Sequence, residues 1–219
     1  MTCKSLWGDS NFSFSFQSSV GSSGGLLTFW DCTEVEVWLT ISFEHVLVIS
    51  GKFLQSEERF VLFNVYAPSE VTRQHALWIN ISNKLESFVD QNVCVCGDFN
   101  VVRNVEERRS VGNNPRVTWI AEFNYLIDHN SLIDLPLRDR SYTWFRGDER
   151  SMSRIARFLL SESWHSSWPN CFQMASARGL SDQCMLELSV DVQNWGPKPL
   201  RMLKCWETFP GYDLFVHEK

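Results

Sequence analysis

No stretch of this sequence is apolar over the roughly 20 residues that a membrane-spanning helix requires. Its opening residues, MTCKSLWGDS, lack the continuous apolar core of a secretory signal. Positive charge is in deficit: 20 Lys and Arg stand against 26 Asp and Glu, for a net charge of −6. That balance argues against a strongly basic, sequence-independent nucleic-acid binder. It leaves room for a phosphate site made by a metal ion or a local basic patch. No second cysteine pair answers the "CVC" at 94–96, whose spacing suits neither a zinc knuckle nor a redox CxxC. The cysteines (Cys3, Cys32, Cys94, Cys96, Cys171, Cys184 and Cys205) are odd in number. They read as free thiols in a reducing compartment rather than as a disulfide framework. No internal repeat or low-complexity block appears.

What is present suits one folded domain. Of 219 residues, 44% are hydrophobic and 21% charged, enough to build a sizeable core and too few charges for bulk disorder. Residues 1–25 are rich in Ser, Phe and Gly, and "GSSGG" (21–25) marks a turn. Short β-like runs follow: "LLTFW" (26–30), "VEVWLTIS" (35–42), "HVLVIS" (45–50) and "RFVLFNVY" (59–66), spaced as an antiparallel meander. In the second, alternation places Val35, Val37, Leu39 and Ile41 on one face. Helical spacing is predicted over 70–89, with Ser69 as its cap and Val71, Ala76, Leu77, Ile79, Ile81, Leu85, Phe88 and Val89 recurring. A second helix is predicted over 118–129, through Trp119, Ile120, Phe123, Leu126 and Ile127. Between them lies the apolar run "NVCVC" (92–96). Beyond them come "SLIDLP", "SYTWF", "ARFLLS", "CFQMAS" and "CMLELSV", with a helical turn "SESWHSSW". Strands grouped this way, rather than alternating with helices, imply an α+β sandwich of two mainly antiparallel sheets with helices outside. Residues 194–219 read as a proline-containing linker or tail.

The most informative stretch is "VCVCGDFN". A buried strand ends at Gly97, which allows a tight turn. Asp98 and Asn100 project beyond it, two apart and therefore on one side. A carboxylate and an amide suit Mg²⁺, water or phosphate. On residue type alone an ordinary Asx turn is the commoner explanation. "FNVYAP" (63–68) adds a second strand ending at Tyr66, before Pro68 forces the chain away. Tyr66 and Asp98 are thus expected at the same rim of one sheet, with the Tyr66 hydroxyl a candidate phosphate ligand. The alternative is a half-buried strand-end aromatic.

"FNVYAP", "VCVCGDFNVVRNVEERR", "SYTWF", "SMSRIARFLLS" and "GLSDQCML", in this order, resemble the endonuclease/exonuclease/phosphatase superfamily. More closely they resemble the endonuclease domain of plant LINE-type (non-LTR) retrotransposon polyproteins. The resemblance implies a four-layer α/β sandwich over residues 1–193, lacking its first strand or strands. The tail from 194 would lead to a reverse transcriptase in full-length relatives. It also implies Mg²⁺-dependent hydrolysis of DNA phosphodiesters at loops where the two sheets meet, and intracellular residence, nuclear or cytoplasmic.

Carried over by motif, Tyr66 matches the phosphate-contacting tyrosine, Asp98 the residue that positions the nucleophile and Asn100 its transition-state partner. Thr143 matches a threonine near the substrate, and Asp182 the acid of a Ser-Asp-His motif. Arg103 opens "RNVEERRS" (103–110), which with Arg116 makes a basic patch for DNA-backbone contact. The competing reading is a solvated loop that Glu106 and Glu107 neutralise. Gln183 stands where the resemblance implies histidine, and an amide does not titrate near neutral pH. Ala156 replaces an acid. Asp9, Asp31 and Glu34 do not match the motif of the metal-binding glutamate, so no metal ligand is assigned. His129 and His165 are isolated and do not replace the missing histidine. Losing a general base costs about 10²–10⁴-fold in rate. The sequence therefore predicts an inactive or barely active endonuclease-like domain, with DNA as a weak partner. The alternatives are a weak Mg²⁺ nuclease and a non-catalytic binding module.

Overall fold

A computed structural model describes residues 11–19, 25–110, 117–147, 150–179 and 181–191. The tail from 194, Trp195, Trp206, Asp9, Arg116 and most of the 21–25 glycine turn lie outside the described residues. The chain opens with an antiparallel pair, β1 (Phe12–Gln17) and β2 (Leu26–Asp31). Strands β3 (Val35–Phe43), β4 (Val46–Phe53) and β5 (Arg59–Tyr66) form the expected meander. Helix α1 (Val71–Leu85) then crosses over to β6 (Asn92–Asp98), which lies parallel to β5. A parallel neighbour requires such a crossover. Short β7 (Arg108–Arg109), helix α2 (Val117–His129), β8 (Ile133–Asp134), β9 (Leu137–Arg138), β10 (Trp144–Phe145) and β11 (Met152–Ser153) follow. The described part ends with β12 (Ala156–Leu160), helix α3 (Glu162–Ser167), β13 (Cys171–Ala175) and β14 (Leu186–Val190).

One six-stranded sheet, ordered β3-β4-β5-β6-β12-β8, is the centre of the molecule. It has two buried faces. On one, Val48, Phe63, Val95 and Leu159 meet Leu77, Trp78 and Ile81 of α1 and Phe123, Leu126 and Ile127 of α2. On the other, Ile49, Phe60, Cys94 and Leu160 pack beneath Trp30 of β2, Trp164 of α3 and Leu188 of β14. Full burial of each such side chain is worth about 1.5–3 kcal/mol. The expected second sheet is divided among the described residues: β1-β2 forms one piece and β14-β13-β9 another. The α+β sandwich is therefore present, with its second layer in two parts.

Three local expectations need correction. The alternation in β3 does not hold one face, because the register shifts between Val37 and Leu39. Val35 and Val37 pack into the inter-sheet core, whereas Ile41 and Phe43 pack on the helix side. A bulged residue, here Trp38, reverses the side-chain parity. Helix α1 stops at Leu85 and tightens into a 3-10 turn, Glu86–Phe88. Its buried face runs through Gln74, Leu77, Trp78, Ile81 and Leu85, leaving Ile79 and Val89 exposed. Its cap position is Glu70, not Ser69, and no side chain caps it. Instead the buried Gln74 amide donates to Pro68 O at 2.8 Å.

A charged cluster fastens the helix-side face. Arg157 of β12 is fully buried. Its guanidinium donates to Asp134 Oδ2 at 2.8 Å and to both Glu107 oxygens, one of them at 3.0 Å. Arg154 donates to Asp134 Oδ1 at 2.8 Å and Glu107 Oε1 at 3.2 Å. Burial pushes the Glu107 carboxyl up, but hydrogen bonding to Arg157 and its charge outweigh that and leave it below the usual range. Its contribution is complete above about pH 4.3, the unfolded value, and is lost as pH falls through the lower folded value. Acid titration of urea stability is expected to show this loss, and Glu107→Gln to remove that part of the pH dependence. Asp134→Asn, which leaves the arginines short of one charge partner, is expected to cost about 3–5 kcal/mol in the same measurement.

Candidate functional site

The site forms where strands on the inter-sheet face run out. In the parallel β5–β6 register Tyr66 lies beside Asp98. Both side chains share the face of Cys94 and Cys96 because they fall on the same parity. The expectation that they occupy one rim is met. Gly97 makes the approach possible: its φ is +132°, and a Cβ there would meet Val65 O at 2.0 Å. No larger residue fits without displacing β5.

Asp98 is 7% exposed. Its Oδ1 accepts the Asn100 N–H at 2.9 Å, an Asx turn with Asn100 at φ +53°. The Asn100 amide donates to Ala67 O at 2.7 Å, tying the β6 exit to the β5 exit. Gln74 adds a third tie, from α1 to Pro68. Across the sheet Ala156 of β12 is the register partner of Asp98. Phe99 N donates to Ile155 O, so the pair belongs to the close, non-hydrogen-bonded kind.

The fourth contribution comes from 181–184. Gln183 forms a β-bridge with Trp144, and Cys184 N donates to Thr143 O at 2.8 Å. This carries the Gln183 side chain to Asp98. Its Nε2 donates to Asp98 Oδ2 at 2.7 Å. Asp182 points elsewhere and accepts from Trp144 Nε1 at 2.9 Å. Burial raises the Asp98 carboxyl above the usual range; the Asn100 N–H and Gln183 amide oppose the rise, and the Asp182 charge adds to it.

Two residues matched by motif are engaged by the framework around the site. Thr143 is completely buried. Its Oγ1 accepts from Ile155 N and Ala156 N, both at 3.0 Å, and so sets the start of β12. Arg103 is held by the framework, donating through Nε to Asn124 Oδ1 at 2.8 Å. Its own carbonyl accepts from Asn124 Nδ2 at 2.8 Å. The neutralised-loop reading of 103–110 fails for Glu107, which serves Arg154 and Arg157. Arg108 and Arg109 are exposed on β7. Asp31, one of the unmatched acids, is occupied by Thr33, whose hydroxyl holds its carboxyl below the usual range. His129 stacks on Tyr125, and His165 sits in α3.

Sequence reasoning missed the side chains around a cleft of about 570 Å³ beside Tyr66 and Asn100. Gln17, Glu44, His45 and Arg73 line it. Arg73 donates to Glu44 Oε1 and to His45 Nε2, each at 2.8 Å. No local pattern signals these residues, because β1, a turn and a helix bring them together. Gln74 did carry a signal: it is polar at a position on the buried helical stripe.

The Mg²⁺ implied by the resemblance does not fit this donor set. Both Asp98 oxygens already accept hydrogen bonds and Asp182 Oδ2 accepts from Trp144, while Asn100, which uses its Nδ2 toward Ala67, offers only a neutral amide oxygen. Among the described residues no group of three or more His, Cys, Asp or Glu side chains converges. Magnesium demands near-octahedral oxygen ligation, usually with one or two accessible carboxylates.

The sequence matches no family model and no curated protein. Solved structures do superpose on it. The endonuclease domain of TRAS1, a telomere-specific non-LTR retrotransposon, is 12% identical, with a TM-score of 0.62 over 83% of this chain and 81% of that one. The AP endonuclease LMAP of Leishmania major is 15% identical, with a TM-score of 0.62 over 81% and 70%. An endonuclease/exonuclease/phosphatase of Bacteroides vulgatus is 13% identical, with a TM-score of 0.57 over 83% and 77%. Two buried faces on one mixed sheet, a rim of Tyr66, Asp98 and Asn100, and these superpositions together give the chain the endonuclease/exonuclease/phosphatase fold.

Proposed function

We propose that this is a retrotransposon-type endonuclease-like domain that has lost hydrolytic turnover and keeps a weak capacity to hold DNA. The observation that carries the reading is the 2.7 Å hydrogen bond from Gln183 to Asp98, whose register partner across the sheet is Ala156. Hydrolysis of a phosphodiester needs a group that takes a proton from the attacking water and another that orients it. Gln183 cannot take a proton near neutral pH. Its amide also occupies the Asp98 oxygen that would face water, and Ala156 offers no carboxylate. General-base loss alone accounts for about 10²–10⁴-fold. Effects within one catalytic unit do not add, so a second loss need not multiply the first.

Support for retained binding comes from the side of the rim nearest Gln183. There β10 and β11 continue into β7, which carries Arg108 and Arg109 into solvent. Arginines at such positions contact phosphate without reading sequence.

Supercoiled plasmid in Mg²⁺ is expected to show no nicking above an Asp98→Ala control, and Gln183→His with Ala156→Asp is expected to restore none. Nicking by the parent chain that disappears in Asp98→Ala would overturn the proposal. Fluorescence anisotropy with duplex DNA should show weak, salt-sensitive binding, and Arg108→Ala with Arg109→Ala should flatten the log–log salt slope by about 2. The raised Asp98 carboxyl has a stability signature of the opposite sign to that of Glu107. The folded state binds its proton more tightly, so stability falls as pH rises from about 3.9, the unfolded value, through the higher folded value. Asp98→Asn is expected to abolish that fall in urea titrations, since Asn accepts from Asn100 N equally well and Gln183 can turn its carbonyl toward the new amide.

A further inference from the structure

A groove of about 1100 Å³ opens at the opposite end of the same sheet, where β5 and β6 begin. The eight-residue β5 runs from Arg59 at the groove to Tyr66, roughly 23 Å along the strand. Its walls are built with care. Asn92 donates to Glu58 Oε2 at 3.2 Å and to Arg59 O at 3.0 Å, and accepts from Ser167 of α3 at 3.3 Å. One amide therefore ties the β4–β5 turn, β6 and α3 around the groove.

Three observations define what it would take. The first is charge. Glu57 is paired with Lys52 at 2.6 Å, but Glu58, Asp90 and Glu162 stand around the groove against the guanidinium of Arg59 among the described lining residues. Anions are disfavoured there. The second is an aromatic wall. Trp38, 51% exposed at the β3 bulge, already has Arg59 over its ring at 5.9 Å, a geometry that attracts cations. Leu39 extends that wall with apolar surface that suits methylene groups. The third is Ser50. It is 4% exposed, lines the groove, and its hydroxyl has no hydrogen-bond partner. A buried hydroxyl left unpaired costs about 1–3 kcal/mol, so one that persists calls for an explanation.

We propose that this groove binds a multivalent aliphatic amine, with its ammonium groups among Glu58, Asp90 and Glu162, its methylenes along Trp38 and Leu39, and one N–H on the Ser50 hydroxyl. Free polyamines and lysine side chains of a basic peptide share this chemistry. The volume and the number of separate carboxylates call for more than one ammonium group per ligand.

Calorimetric titration of the full chain with spermidine and, separately, with tetralysine tests it. Spermidine is expected to bind with an affinity that falls as salt rises, and Asp98→Ala is expected to leave that affinity unchanged. Glu58→Gln with Asp90→Asn keeps the Asn92 contact and suits the left-handed backbone of Asp90 (φ +63°). It is expected to weaken binding at least about tenfold, as loss of charge-assisted contacts should. Glu34→Gln with Glu106→Gln removes the same net charge elsewhere and should leave affinity unchanged. Ser50→Ala should weaken spermidine while leaving urea stability equal to or above the parent's, which separates ligand binding from a folding role. Tetralysine binding much tighter than spermidine would assign the groove to a basic peptide; the reverse would assign it to free polyamine. No heat with either ligand, or equal loss in the Glu34/Glu106 control, overturns the proposal.

Discussion

The buried guanidinium of Arg157 is the constraint on which the site's framework depends. A positive charge on a central strand, facing the hydrophobic side of α2 with its Cζ 5.8 Å from the Phe123 ring, is tolerable only if carboxylates are brought to it. Glu107 and Asp134 come from separate segments, one after the Asp98 loop and one on β8. Meeting that demand folds residues 99–107 back against the sheet and draws β8 to its edge. Arg154 and Arg103 then join the same carboxylates. The rim at Asp98 is thus held from behind by ionic contacts and from the side by Gln74 and Asn100.

In front of that framework the site is a set of polar groups that satisfy one another. Asp98 serves Asn100 and Gln183, Asn100 serves Ala67, and Asp182 serves Trp144. A hydrolytic site needs its groups poised for a substrate and for changes in protonation. Here both Asp98 oxygens, the Asn100 amide nitrogen and the Gln183 amide nitrogen are engaged within the protein. The proposed binding without turnover rests on that arrangement, and Gln183 and Ala156 are two of the departures it involves.

Much of this was legible in the sequence where function depends on strand ends. Tyr66 and Asp98 each terminate an apolar run, which puts them at one rim, and Gln183 departs because its residue type cannot titrate. Long-range burial was not legible. Thr143 looks like any polar loop residue until β12 closes over it, and Arg103 reads as a free basic residue until α2 supplies Asn124. Pattern reading also assumed uninterrupted alternation, which the extra residue in β3 breaks. The cap of α1 is Glu70 rather than the expected Ser69, and a buried Gln74, not a capping side chain, secures the turn before it.

The bulge at Trp38 divides β3 between two cores, with Val35 and Val37 answering to one and Ile41 and Phe43 to the other. The halves of this single strand are therefore free to diverge separately in evolution, each co-varying with a different partner layer. A one-codon deletion at the bulge would be far more disruptive than most substitutions nearby. It would rejoin the alternation and turn one half of the strand inside out. In an alignment of related sequences, this short segment should tolerate changes of residue far better than changes of length.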